Sequence, residues 1–133
     1  MSTILLIEDN LEMADNIASI LELAGYKVLS AHNGKAGAVL AQQHHPDLIL
    51  CDVMMPELDG YGVLHILSSN PETAGIPFVF LTARADKSDF REGMNLGADD
   101  YLTKPFDDLD LLRVIEIRLR KKAAQAPPAE SSG

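Results

Sequence analysis

Five short apolar runs alternate along this chain with longer amphipathic segments. The runs cover residues 3–7, 27–31, 48–51, 78–81 and 100–102. Each has the length of one β-strand, and in the first run Ile4, Leu5, Leu6 and Ile7 follow one another without a polar residue. Continuous apolar strands are typical of parallel sheets that are covered on both faces, whereas half-exposed antiparallel strands alternate between apolar and polar residues. The runs therefore favour a buried parallel sheet.

The segments between and after these runs have the apolar spacing of helices. They cover residues 11–24, 34–43, 61–68, 86–96 and 107–122. In the last segment Leu112, Ile115 and Leu119 share one face, which leaves Val114 and Ile117 off that face and available to a partner. A strand followed by a helix, repeated five times, predicts an α/β fold with right-handed crossovers and helices on both faces of the sheet.

The length and the composition limit the organisation of the chain. The 133 residues fit one domain, which we place at residues 1–122. Residues 123–133 read AAQAPPAESSG, a composition that indicates a disordered tail or an interdomain linker. The single cysteine, Cys51, excludes an intrachain disulfide and lies among apolar neighbours, so we expect a buried core residue.

Charge and hydropathy exclude other classes of protein. The formal net charge of −9 argues against direct binding to nucleic acid by this domain. No apolar run reaches the ~20 residues that a membrane span needs. The first residues lack the basic stretch of a signal peptide. We therefore expect a cytoplasmic protein that does not bind membranes.

Reactive side chains stand at or just after the ends of four of the five predicted strands. They are Glu8 and Asp9 after the first, Asp52 after the third, Thr82 after the fourth and Lys104 after the fifth. Because ligands of open α/β sheets bind at the carboxyl ends of the strands, we expect these side chains to converge. Carboxylate oxygens suit a hard cation such as Mg²⁺, and Lys104 offers a positive charge to an oxyanion. Asp52 would then be a nucleophile that forms an aspartyl phosphate.

Four sequence segments, LLIEDN, LILCDVMMPELDG, FLTA and YLTKPF, resemble in order and spacing the response-regulator receiver family of two-component signalling. The resemblance extends from about Ile4 to Leu119, which is most of the chain. It implies a flavodoxin-like (βα)5 three-layer sandwich with a parallel five-stranded sheet of order 2-1-3-4-5. It also implies a phosphoprotein that receives its phosphoryl group from a sensor histidine kinase or a histidine phosphotransfer protein.

The resemblance assigns roles to individual residues. It implies that Asp52 is the phosphoacceptor and that Glu8, Asp9 and Asp52 hold Mg²⁺, for which Mn²⁺ is expected to substitute. The backbone carbonyl of Met54 corresponds to a further ligand of the metal. Lys104 corresponds to the lysine that pairs first with the acceptor and then with a phosphoryl oxygen.

The switch and the output follow from the same resemblance. Thr82 corresponds to the hydroxyl that moves to the phosphoryl group, and Tyr101 to the aromatic residue that turns inward after it. Pro105 corresponds to a proline with a cis peptide bond that aims the lysine. The face of the predicted fourth helix, fifth strand and fifth helix is expected to meet a downstream protein or an identical copy of the chain.

Two positions that tune kinetics in the family carry uncommon residues here. They are Met54, two residues after the acceptor, and Arg84, two residues after the switch threonine. We hypothesise that Met54 screens an acyl phosphate from water and that Arg84 attracts an anionic donor. Pro56 and Gly60 correspond to the turn that follows the acceptor strand.

Three other functions compete with this interpretation. A flavin-binding electron carrier would need a phosphate-binding loop after the first strand, where Glu8 and Asp9 would repel phosphate. An aspartyl-phosphate hydrolase would want a second acid two residues after its nucleophile, where Met54 stands. A docking module that works without phosphorylation remains the alternative, although the complete set of reactive residues argues against it.

Overall fold

The structure, a computed structural model, describes residues 1–83 and 97–125, and these form five strands and four helices. The strands are Thr3–Ile7 (β1), Lys27–Ala31 (β2), Leu48–Asp52 (β3), Phe78–Thr82 (β4) and Asp100–Thr103 (β5). The helices are Leu11–Leu23 (α1), Gly34–His44 (α2), Gly60–Ser68 (α3) and Asp108–Gln125 (the C-terminal helix). The helix predicted over residues 86–96 and the tuning residue Arg84 lie outside the described residues.

The five strands form one parallel sheet with the order β2-β1-β3-β4-β5. Each pair of neighbours is in a register that brings the carboxyl ends of the strands to the same edge, for example Ile7 beside Cys51 and Asp52 beside Leu81. The predicted parallel sheet and its strand order are confirmed.

The sheet separates two apolar cores, which explains why its strands are apolar at every position. In β1, Leu5 and Ile7 point into the core under α2 and α3, whereas Ile4 and Leu6 point into the core under α1 and the C-terminal helix. All four side chains are fully buried. Burial of an aliphatic side chain of this size stabilises the fold by about 1.5–3 kcal/mol. The arrangement is the predicted three-layer, flavodoxin-like sandwich.

Short polar side chains begin each of the four helices. Asn10 accepts a hydrogen bond from the Met13 amide at 3.0 Å, and Asn33 and Asp59 do the same for α2 and α3. Asp107 accepts from the Asp110 amide at 2.9 Å ahead of the C-terminal helix. These contacts satisfy amides that have no partner within the helix. They also fix where the loops at the carboxyl edge of the sheet turn into helices.

The end of the C-terminal helix differs from its prediction. The helix continues through Gln125, three residues beyond the predicted end at Lys122, because alanine and glutamine favour the helix until the prolines that follow. The predicted boundary at residue 123 therefore lies within the helix. Residues 126–133 lie outside the described residues, and the linker stays a prediction. No helix in the part that the structure describes is long and apolar enough to cross a membrane.

Candidate functional site

The reactive residues stand where the hydrogen-bonded ladder of the sheet ends. Asp52 is the last residue of β3, and Thr82 is the last residue of β4, opposite Thr103. The amide of Glu8 donates to the Ala31 carbonyl at 3.0 Å, and that of Lys104 donates to the Thr82 carbonyl at 2.7 Å. These bonds extend the ladder by one residue beyond β1 and β5. The sheet itself therefore positions the backbones of Glu8, Asp52, Thr82 and Lys104.

Three carboxylates come together at this edge. One oxygen from each of Glu8, Asp9 and Asp52 lies within 4.8 Å of the other two. The side chain of Glu8 is 1% exposed and that of Asp52 is 10% exposed, whereas Asp9 faces solvent. Carboxylates this close and this deeply buried need compensating positive charge.

Lys104 supplies part of this positive charge. Its ammonium Nζ donates to Glu8 Oε1 at 3.0 Å and lies 3.5 Å from Asp52 Oδ1. The other oxygen of Glu8 accepts a hydrogen bond from the Asn10 amide at 3.2 Å. The peptide bond between Lys104 and Pro105 is cis. The lysine is thus nearer to Glu8 than to Asp52, the predicted acceptor.

The charge of this cluster suits a divalent cation. When all four groups are ionised, three carboxylates and one ammonium carry a net charge of −2. The candidate ligands are oxygens only, which is the preference of Mg²⁺. Met54, in the loop after β3, is 64% exposed. The role of its backbone carbonyl as a metal ligand stays a prediction.

The loop between β3 and α3 is held close to Asp52. The Gly60 amide donates to the Val53 carbonyl at 2.9 Å, and the Leu58 amide donates to the Pro56 carbonyl at 2.8 Å. A Cβ on Gly60 would lie 2.4 Å from the Asp52 carbonyl oxygen, which is closer than real Cβ atoms come. Glycine at this position therefore lets the start of α3 approach the backbone of the acceptor.

The two predicted switch residues lie on neighbouring strands. Thr82 is 3% exposed at the end of β4. Tyr101 is half-buried in β5, with its ring centroid 5.1 Å from that of Phe80. Its hydroxyl oxygen lies 3.1 Å from that of Tyr61. The aromatic residue is thus packed against the core side of the sheet rather than extended into solvent.

Cys51, directly before Asp52, is a buried core residue as expected from its neighbours. Burial, and after it the nearby charge of Asp52, raises the pKa of the Cys51 thiol well above its usual range. Its sulfur donates to the Asp52 carbonyl at 3.3 Å. A thiol in this state is a poor nucleophile, so the chemistry at this edge belongs to oxygen groups.

Sequence reasoning missed three contacts of this site. The Asn10 amide donates a hydrogen bond to the Glu8 side chain, and the His32 ring nitrogen Nδ1 lies 3.4 Å from the Glu8 carbonyl. The third contact joins the hydroxyls of Tyr61 and Tyr101. The strand order offers a signal for His32, because β2 lies beside β1 and their last residues are paired. No sequence pattern indicates the contact between the two tyrosines.

Comparison with known proteins gives the same family throughout. The family model of the response regulator receiver domain matches residues 4–116. The chain is 43% identical over 121 residues to the DNA-binding dual master transcriptional regulator RpaA of Synechocystis sp., covering 91% of this chain and 50% of RpaA. It is 38% identical to protein PilH of Pseudomonas aeruginosa, covering 86% of this chain and 95% of PilH. The chain thus spans about half the length of RpaA and nearly all of PilH.

A solved structure extends this likeness to the fold. The receiver domain of sensor histidine kinase PA1611 from Pseudomonas aeruginosa, which has a magnesium ion coordinated in its active site cleft, superposes with a TM-score of 0.83. The identity is 31%, and the superposition covers 89% of this chain and 97% of that one. With the sheet order, the acidic cluster and the matched residues taken together, this chain belongs to the response regulator receiver domain family.

Proposed function

We propose that Asp52 accepts a phosphoryl group from a phosphohistidine and that this modification sets the signalling state of the domain. The observation that carries the proposal is the placement of one ammonium, Lys104 Nζ, against the buried carboxylates of Glu8 and Asp52. A buried carboxylate at the end of a strand can act as a nucleophile, and the ammonium beside it can stabilise the negative charge of the phosphorylated product.

The acidic cluster fits a resident magnesium ion. Glu8, Asp9 and Asp52 would hold it, with the Met54 carbonyl as a further ligand, and Mn²⁺ would satisfy the same oxygen donors. When bound, such a cation neutralises the charge of phosphoryl oxygens. The magnesium in the cleft of the PA1611 receiver domain supports this proposal.

The residues of the chain account for the transfer itself. A carboxylate oxygen of Asp52 forms the new bond to phosphorus while the bond from phosphorus to the imidazole nitrogen breaks, and the electron pair of that bond returns to the imidazole. Lys104 exchanges its contact with Asp52 for one with a phosphoryl oxygen. Because the ammonium already lies 3.5 Å from Asp52 Oδ1, this exchange needs only a small movement of the side chain.

The output follows from a shift between two pre-existing states. In the proposal Thr82 turns to the phosphoryl group, and this movement favours the inward position of Tyr101 that the structure already shows. The surface of β5 and the C-terminal helix, together with the helix predicted over residues 86–96, then binds a downstream protein or a second copy. Met54 and Arg84 set the lifetime of the modified state, with Arg84 outside the described residues.

The proposed partners are a sensor histidine kinase or a histidine phosphotransfer protein. The domain assists its own phosphorylation and dephosphorylation and is a signalling domain rather than an enzyme that turns over substrates. We keep the cytoplasmic location expected from the sequence as part of the same proposal. Binding of nucleic acid is assigned to no residue of this chain, in keeping with its net charge of −9.

Incubation with acetyl phosphate and Mg²⁺, read by intact mass, tests the proposal. The parent should gain the mass of one phosphoryl group, and Asp52→Ala and a chelator of magnesium should each abolish the gain. Asp15→Ala, which removes an exposed acid on α1, is the matched control and should be modified like the parent. An unmodified parent, or equal modification of Asp52→Ala, would contradict the proposal and leave a docking module that works without phosphorylation.

A further inference from the structure

Four aromatic side chains form a cluster on the core side of β4 and β5. Phe80 is fully buried at its centre, with the ring centroids of Phe78 and Tyr61 at 5.0 Å and that of Tyr101 at 5.1 Å. Both tyrosines thus pack on the same phenylalanine. Their hydroxyl oxygens meet at 3.1 Å, a hydrogen-bond distance for two hydroxyls.

The two tyrosines lie in different elements, Tyr101 in β5 and Tyr61 at the start of α3. Tyr101 lies in β5 directly opposite Phe80 in the parallel register. Tyr61 is the second residue of α3, next to Gly60, whose amide donates to the Val53 carbonyl just after the acceptor strand. The contact between the hydroxyls therefore joins the start of α3 to β5 across 40 residues of sequence.

This contact bears on the position of Tyr101 before phosphorylation. The ring of Tyr101 packs against the buried core cluster, and the phenol of Tyr61 lies beside it. For the ring to swing toward solvent, the hydrogen bond to Tyr61 must break, together with the packing on Phe80. The bond favours the inward position without any help from a phosphoryl group.

We propose that Tyr61 is a positioning residue whose hydroxyl holds Tyr101 inward in the unphosphorylated protein. It thereby sets the fraction of molecules in which Tyr101 is inward before phosphorylation. This inference rests on the proposed function in one respect, the role of Tyr101 as the switch. A hydrogen bond between neutral groups shifts an equilibrium of this kind by about two- to tenfold. Tyr61→Phe keeps the ring on Phe80 and removes only the hydroxyl, so the variant should lower the ratio of inward to outward molecules by that factor.

Linkage extends the effect to the acceptor. If phosphorylation favours the inward position, then the inward position must favour phosphorylation by the same factor at equilibrium. In the parent the ring of Tyr101 is already inward in most molecules, so phosphorylation should change its position little. In Tyr61→Phe the ring should be outward more often before phosphorylation and return inward after it. A residue with a structural role alone would not make Tyr101 respond to phosphorylation in this way.

The chain offers a direct probe, because it has three tyrosines and no tryptophan. Protein labelled with carbon-13 in the tyrosine rings should give separate signals for Tyr26, Tyr61 and Tyr101, which single phenylalanine variants assign. Relaxation caused by a neutral gadolinium chelate in solution reports the exposure of each ring. The measurement is made on parent and Tyr61→Phe, with and without acetyl phosphate and Mg²⁺, and intact mass gives the modified fraction of the same samples.

We expect the relaxation of Tyr101 to rise in unphosphorylated Tyr61→Phe and to return toward the parent value after phosphorylation. Tyr26→Phe removes a hydroxyl from the other apolar core and should leave Tyr101 unchanged. Equal relaxation of Tyr101 in parent and Tyr61→Phe overturns the inference. So does an equal rise at Tyr26, because that result means a general loosening of the fold. A parent that gains no phosphoryl mass counts against the proposed function, whereas the unphosphorylated comparison still decides the role of the hydroxyl.

Discussion

At the scale of single residues, the position of Lys104 has opposite effects on two properties of the site: it weakens metal binding and speeds phosphoryl transfer. Its ammonium lies 3.0 Å from Glu8 and 3.5 Å from Asp52, so it competes with a cation for the same carboxylates. Lys104→Met should therefore bind Mg²⁺ about tenfold more tightly than the parent while it gains phosphoryl mass more slowly. Calorimetric titration with Mg²⁺ and timed intact-mass measurements check the two effects.

A second lysine provides the control for this prediction. Lys27 is exposed at the first residue of β2, at the sheet edge opposite the acidic cluster. Lys27→Met removes the same charge and should leave both the affinity for Mg²⁺ and the rate of modification at parent values. Weaker binding of Mg²⁺ by Lys104→Met would show that the lysine orders the carboxylates rather than competing with the metal.

Sequence was sufficient for the residues that follow strands and insufficient for those that meet through packing. Glu8 and Asp52 could be placed together because each stands at the carboxyl end of a parallel strand, where the register determines the position of the backbone. The contact between Tyr61 and Tyr101 depends on how α3 lies on β4 and β5. No local pattern contains that information, because either tyrosine alone is compatible with an ordinary half-buried position.

At the scale of elements, Gly60 controls the approach of α3 to the acceptor strand. A Cβ there would lie 2.4 Å from the Asp52 carbonyl oxygen and 2.9 Å from the Phe80 ring, so Gly60→Ala must displace one of them. We expect the free energy of unfolding to fall by about 1–3 kcal/mol, with an unchanged slope against urea. Gly75→Ala is the matched control, since a Cβ there meets no atom within 4 Å. A parent-like stability of Gly60→Ala would mean that the loop adjusts without strain.

The C-terminal helix presents a wider face to the core than the one expected, because Leu111 and Val114 join the predicted residues there. Leu111 and Ile115 are fully buried, whereas Leu112 and Leu119 are only partly buried. Val114, assigned from the sequence to a partner surface, packs against the same core cluster. The helix carries apolar residues on more than one face, and periodicity alone does not show which face the sheet covers. Contact of the helix with β5 includes the ion pair from Arg118 to Asp100 at 3.2 Å.

Two leucines of this helix test that assignment. Leu111→Ala removes a fully buried side chain and should lower the free energy of unfolding by about 2–5 kcal/mol. Leu109→Ala makes the same chemical change at a side chain that is 69% exposed and should stay within about 0.5 kcal/mol of the parent. Urea denaturation followed by circular dichroism measures both. Similar losses in the two variants would contradict the burial of Leu111 and the exposure of Leu109 that the structure shows.

At the scale of the whole molecule, the sequence carried the fold because one pattern determines several levels of it. Strands that are apolar at every residue require cover on both faces, and helices between parallel strands provide it. The two cores on either side of the sheet are the direct result, with alternate residues of β1 and β3 divided between them. The strand order was different in kind: it rested on resemblance to a family, since no physical rule applied to this chain alone selects 2-1-3-4-5 over other orders.

The net charge of −9 and the acidic cluster together predict how magnesium affects the stability of the whole domain. A ligand that binds only the folded state stabilises it by RT ln(1 + [L]/Kd), about 2.7 kcal/mol at a concentration of 100 Kd. For a domain of this size that corresponds to a rise in Tm of roughly 8–14 °C. Thermal unfolding in Mg²⁺ should show this rise, whereas NaCl at the same ionic strength should give a smaller one through screening of the general repulsion.

Asp9→Asn removes an exposed member of the cluster and one negative charge, so it should reduce the response to Mg²⁺ and leave the response to NaCl almost intact. An equal rise in both salts would mean that magnesium acts on the net charge of the molecule and has no site at the edge of the sheet.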